Sequence, residues 1–271
     1  MFMLTHTYFL QNVLEQGSPK RSSLDIYVYN IMPDLLTIHP KISANKTHAV
    51  KRDMEIPLIH SKVAFTFFHL LVDDLAHYGR TDSDLREGFD ADSQGYCYIK
   101  GRDLVGPIVE LHGLIDREIS NDEAVYQSHL IIEMMFDLII ARQIEEFRTI
   151  DLLVEALQYT ADRKLNELSD DMNWLYGFEK GQIADVMQAA IHYVTREGMD
   201  RLMNIQGRIN LYQEKFGLHS DEMIFSSALT KMFEKALTLI DDEDLFLQQS
   251  IGAIQKLKEK ACGLNGLLHI P

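Results

Sequence analysis

At 271 residues the chain is long enough to bury a sizeable core, as one large domain or two packed halves. Hydrophobic residues make up 46 % and charged residues 25 %, the balance of an ordered globular protein rather than a disordered one. The net charge of −15 argues against a nucleic-acid coat protein or a binder of anionic membranes, since both repel an acidic partner. An enzyme that handles a nucleotide or phospholipid through bound cations stays open, because metal ions invert the charge locally.

In chain order, residues 2–15 read as a short helix stopped by Gly17-Ser18-Pro19. A second helix starts after Ser22-Ser23, which are suited to capping, and runs to Pro33-Asp34. Residues 37–57 carry Pro40 and Pro57 with no helical period and read as a loop, made locally basic by Lys41, Lys46, Lys51 and Arg52. From Leu58 to Tyr78 the apolar residues recur at helical spacing, and Gly79 supplies a stop. An acidic insertion follows at 80–98. Further helices are expected at about 101–118, 121–146, 149–167, 180–205, 221–239 and 242–262.

No strand-like alternation persists, so the expected class is all-α. The first residues lack a basic n-region and a small-residue cleavage site, which speaks against a signal peptide. The longest apolar run is broken by Glu133 and Asp137, so no stable membrane insertion is expected. Cys97 and Cys262 form no disulfide framework, and a cytoplasmic setting is the expectation. Oligomeric state is not readable.

Histidines concentrate early, with eight of the eleven before residue 130. A functional boundary is therefore drawn between a metal-binding catalytic region, 1–146, and a helical extension, 147–271, which can share one core with it. The central motif is His69-Leu-Leu-Val-Asp73-Asp74-Leu-Ala-His77. On a helix, His69, Asp73 and His77 are successive i, i+4 neighbours and project from one stripe, whereas Asp74 lies about 100° away. Imidazoles and a carboxylate at that separation can ligate one divalent ion or bridge two, and zinc favours this mixture of donors. His129-Leu-Ile-Ile-Glu133 repeats the step inside a run so apolar that an unpaired carboxylate would carry a heavy desolvation cost. Two helices with such steps are what a metal site in a helical bundle requires. His6, Asp34, His48 and His60 are isolated candidates, and each alone reads as a surface or capping residue.

The order of these residues resembles the zinc-dependent phospholipase C family, whose helical fold is shared with the single-strand-specific zinc nucleases. In that family an N-terminal His is followed by an Asp after a Pro-containing turn and a His about fourteen residues later. A His-x-x-x-Asp helix, a further His and a His-x-x-x-Glu helix complete the set. Here the order is His6, Asp34 in Met32-Pro33-Asp34, His48 fourteen residues on, His69 with Asp73, His77, and His129 with Glu133. The resemblance covers residues 1 to about 145. It implies a multi-helix bundle, a site of two or three zinc ions, and hydrolysis of a small-molecule or lipid phosphate ester, diester or monoester.

Three departures are visible. The chain begins at Met1 where the best-known members ligate through a processed N-terminal Trp, which makes two ions the simpler expectation. His77 stands closer to Asp73 than the family's corresponding His. The long interval before His129 contains His112-Gly-Leu-Ile-Asp116, so His112 and Asp116 compete for a place in the site or beside it.

Under this reading Asp34 orients or deprotonates the attacking water or bridges metals, and Lys51 and Arg52 of the basic loop gather the phosphate. Two rivals remain. A di-iron bundle normally carries Glu-x-x-His steps, and none occurs among these residues. A helical interaction or scaffold protein with incidental histidines draws support from the C-terminal half, where His192, His219 and His269 stand alone beside the acidic cluster Asp241-Asp242-Glu243-Asp244. No P-loop, dinucleotide fingerprint or Gly-x-Ser-x-Gly elbow is present.

Overall fold

A proline inside a helix and a long apolar helix with buried acids organise the first half of the chain. The computed structural model describes residues 3–14, 23–81, 92–143 and 148–260, and among these every regular element is a helix. The early helices are α1 (Met3–Val13), α2 (Asp25–Leu35), α3 (Ala44–His48), α4 (Val63–Tyr78), α5 (Tyr96–Gly101), α6 (Val105–Gly113) and α7 (Asn121–Gln143). They are followed by α8 (Arg148–Arg163), α9 (Leu165–Tyr176), α10 (Lys180–Tyr193), α11 (Arg196–Leu202), α12 (Ile205–Phe216), α13 (Met223–Leu239) and α14 (Glu243–Lys260). The all-α class read from the sequence is the class observed.

α7 is the central helix. Ile131, Ile132, Met134, Met135, Phe136 and Leu138 are all buried, which is the signature of a helix enclosed on every side. α1, α5, α6 and α13 pack on it, and each large apolar side chain so covered contributes about 1.5–3 kcal/mol. By length and composition α7 could cross a membrane, but 89 % of its apolar window is buried inside the protein. One contiguous hydrophobic core runs from Leu4 to Leu247. It crosses residue 147, because α2 packs on α8 as well as on α1 and α4.

α4 ends where the spacing predicts. Gly79 adopts φ +70° and its N–H donates to the Leu75 carbonyl at 3.0 Å, a left-handed cap that costs a residue with a Cβ. The returning chain then presses on this helix end. Gly95 lies against the His77 carbonyl so closely that any Cβ would collide with it, and the Ser93 hydroxyl donates to the same carbonyl.

Several expectations are corrected. The loop at 37–57 contains the short helix α3. The helix expected at 180–205 divides after Tyr193, because the Thr195 side chain accepts the Gly198 N–H at 3.0 Å and starts α11 anew. The helix expected at 149–167 ends at Arg163 as α8, and a separate helix, α9, follows from Leu165 to Tyr176. α12 was not anticipated; its start is capped by Asn204, which accepts the Gly207 N–H at 2.9 Å. The stop at Gly17-Ser18-Pro19, the Ser22 cap, most of the acidic insertion, Cys262 and His269 lie outside the described residues.

Candidate metal centre

Pro33 sits inside α2 and has no N–H to give the Tyr29 carbonyl four residues earlier. Thr66 of α4 supplies the missing donor: its hydroxyl bonds the Tyr29 carbonyl at 3.0 Å. One turn later on α4 stands His69, and immediately after Pro33 stands Asp34. The defect in one helix thus locks it to its neighbour at the level of both side chains. His6 is fixed from α1, where Asn30 of α2 donates to the His6 carbonyl at 2.8 Å.

His6, Asp34, His48, His69 and Asp73 converge on one place. Asp73 divides its oxygens: Oδ1 lies 3.1 Å from His6 Nε2, and Oδ2 lies 3.2 Å from His48 Nε2 and 3.3 Å from His69 Nε2. Asp34 Oδ1 lies 3.6 Å from His48 Nε2 and 3.8 Å from His69 Nε2. Two triads able to hold an ion result, His6–His69–Asp73 and Asp34–His48–His69, each with its donor atoms within 4.8 Å of one another. The two triads share His69 Nε2, which can serve one ion at a time, and Asp73 presents Oδ1 to His6 and Oδ2 to His48 and His69. The His6 and His69 rings stack with centroids 3.6 Å apart.

A second cluster lies one turn further along α4. His77, His129 and Glu133 form a third triad within the same 4.8 Å limit, and His77 Nε2 contacts Glu133 Oε1 directly. Tyr98 of α5 stacks on the His129 ring at 4.6 Å and Tyr126 meets it edge-on at 5.0 Å.

Burial and charge suit cation ligation. His6 and His69 are fully buried, while the Asp34, His48 and His77 side chains are 28 %, 25 % and 22 % exposed. Access from solvent is therefore past Asp34 and His48 for the first cluster and past His77 for the second. Burial, with His6 beside it, lowers the His69 pKa to about 4; burial also takes His129 to about 3, against the pull of Glu133. His48 behaves in the opposite way: burial would lower it, but hydrogen bonds to Asp34 and Asp73 raise it to about 10. Although burial works to raise them, Asp34 is held below the usual carboxylate range by His69 and His48, and Glu133 lies below it and Asp73 well below it through the N-terminal positive charge and then the surrounding imidazoles.

Donor orientation also fits a metal. His48 Nδ1 lies 3.0 Å from the Ala44 carbonyl, which turns Nε2 toward the carboxylates in the manner of a ligand held by an outer hydrogen bond. Both ring nitrogens of His6 lack a hydrogen-bond partner among the described residues, as do Nδ1 of His69 and of His129. The 3.1 Å approach of His6 to Asp73 is thus a convergence of two donor atoms without hydrogen-bond alignment. Each unsatisfied buried polar atom costs about 1–3 kcal/mol, a penalty that coordination relieves at His6 Nε2, the nitrogen that faces Asp73. The residues present fit a zinc-type ion at each cluster.

Other candidates lie elsewhere. Arg52 is not placed to gather phosphate: its Nε and Nη2 donate to both oxygens of Asp74 at 2.9 and 2.8 Å, and its Nη1 donates to the His48 and Val50 carbonyls. The guanidinium ties the segment after His48 to α4. Lys51 is exposed. His112 is buried against Gln127 at 3.1 Å and joins neither cluster. Asp116 does not share its stripe, because α6 ends at Gly113 and Asp116 sits exposed in the following turn at φ +53°. His60 pairs with Asp171 at 2.6 Å and stacks on Trp174, joining the chain before α4 to α9.

Sequence reasoning missed Tyr126 and Tyr176 as neighbours of the site. Tyr176 of α9 donates to the Thr47 carbonyl at 3.0 Å, beside His48; no local spacing marks such a residue. No family model, curated protein or solved structure matches the chain.

Proposed function

We propose that the protein is a metal-dependent phosphoesterase whose site holds two or three zinc-type ions, of the kind found in the zinc-dependent phospholipase C family. The observation that carries this reading is the convergence of eight ligand-type side chains, from α1, α2, α3, α4 and α7, into two adjoining clusters joined through Asp73 and His77 of one helix. His6, Asp34, His48, His69 and Asp73 are the ligands of the first cluster, and His77, His129 and Glu133 of the second. When bound, such ions neutralise phosphate oxygens and acidify a water to hydroxide near neutral pH.

The protein's own residues then divide the work. Asp34, the most exposed carboxylate of the set, is the group placed to orient the water. His48 Nε2 is held toward Asp34 and Asp73 by its other nitrogen, which keeps both carboxylates in place. The buried His6, His69 and His129 exclude bulk water from the inner face.

Metal analysis after mild purification tests the reading: at least one zinc, manganese or iron per chain is expected, and less refutes it. His69→Ala and Glu133→Ala should each remove hydrolysis of a generic phosphodiester. Full activity in both sinks the assignment.

A further inference from the structure

The stripe of α7 that carries His129 and Glu133 continues for one more turn to Asp137, and Asp137 is not a ligand. Its side chain is 3 % exposed. Oδ1 accepts both the Thr5 N–H at 2.8 Å and the Thr5 hydroxyl at 2.5 Å. Oδ2 accepts Nη2 of Arg208, 2 % exposed, at 3.2 Å. Thr5 lies in the first turn of α1, where backbone N–H groups have no helical acceptor and a negative charge is favoured. The next residue is His6, the ligand that faces Asp73.

Resting on the metal-centre reading, we infer that Asp137 and Arg208 form a positioning pair. It fixes His6 in register with α7, and through α12 it makes the C-terminal half part of the metal site's support. A buried ion pair is a poor device for stability, because desolvation of both charges consumes most of the Coulombic gain; its use is to enforce one arrangement. Here the arrangement has a direct readout. Burial pushes the Asp137 carboxyl up, and Arg208 and Thr5 oppose that shift. Ligand geometry tolerates displacements of only about 0.5 Å. Loss of the pair therefore frees α1 to shift by more than the His6–Asp73 ion can tolerate, while His77, His129 and Glu133, anchored on α4 and α7, are untouched.

The test uses the full chain, zinc titration calorimetry and cobalt(II) absorption. Arg208→Met alone strands a buried carboxylate, so the informative variant is Asp137→Leu with Arg208→Met: no charge is left unpaired and both Thr5 donors lose their acceptor. Thr5→Val, which removes only the hydroxyl, is the second, milder variant. With wild-type helical circular dichroism, the double variant should lose at least tenfold affinity for one ion and leave the other class unchanged. Its cobalt spectrum should change as that of His6→Ala does. Thr5→Val should show the same selective loss at several-fold, and Arg208→Lys, which keeps the charge, should restore most of it. Wild-type affinities and spectra in both the double variant and Thr5→Val overturn the positioning role alone. A wild-type chain that binds neither zinc nor cobalt overturns the metal-centre reading with it.

Discussion

Replacing Arg52 with Met separates a structural clamp from a phosphate-binding residue. The change deletes two bonds to Asp74 and two to the carbonyls of His48 and Val50. It leaves the Asp74 side chain, 9 % exposed, beside an apolar chain. Breaking a buried ion pair from one side costs about 3–5 kcal/mol. Asp74 can escape by taking a proton, and from an ordinary carboxylate pKa to pH 7 that costs about 4 kcal/mol, which caps the electrostatic part. With Arg52 itself 14 % exposed, water screens some of the loss, so about 3 kcal/mol of destabilisation is expected. Urea unfolding of the metal-free protein measures it. Adding Asp74→Leu should recover about 2 kcal/mol, since no charge is then stranded. A loss below about 1 kcal/mol, with intact metal content and a raised KM for a phosphodiester, refutes the clamp and returns Arg52 to the substrate.

Three further outcomes are expected. The metal-free protein should be most stable near pH 6.5, by urea unfolding across the range. His69 and His129, at about 4 and about 3 when folded, bind protons first in the unfolded chain, so stability falls as pH drops from the ordinary imidazole value. His48, raised to about 10, contributes stability that is full below that ordinary value and is lost as pH rises toward 10; a flat profile between pH 4 and 9 contradicts these assignments. Gly95→Ala should destabilise by about 2 kcal/mol or more and weaken the ion held by His77, because the new methyl collides with the His77 carbonyl; an unchanged thermal midpoint shows that the contact is not tight. Thr66→Val should cost about 1–3 kcal/mol by leaving the buried Tyr29 carbonyl unpaired, and a neutral effect in calorimetric unfolding rejects the link between Pro33 and α4.

The local half of the site was legible in the sequence because helical spacing is a local property. His69, Asp73 and His77 share a stripe by backbone geometry alone, and so do His129 and Glu133. The same rule misled at His112 and Asp116, where the helix ends at Gly113 and the four-residue step leaves it. It also said nothing of α12, a polar helix defined more by Asn204 at its start than by an apolar period. Arg52 reads as a free cation in the sequence because nothing local reveals the buried acid, here Asp74, that claims it.

By itself, then, the sequence determined the helical class, the two stripes of ligand-type residues and the heavy cost of burying Glu133 without a partner. Each follows from periodicity or from transfer energies that act within one turn. Only the tertiary structure decided that His6 of α1 meets Asp73 of α4, that Asp73 gives one oxygen to His6 and the other to His48 and His69, and that Arg208 of α12 reaches Asp137. Those contacts join segments far apart in the chain. Their geometry is set by how α1, α2, α4, α7 and α12 pack, which no spacing within one helix encodes.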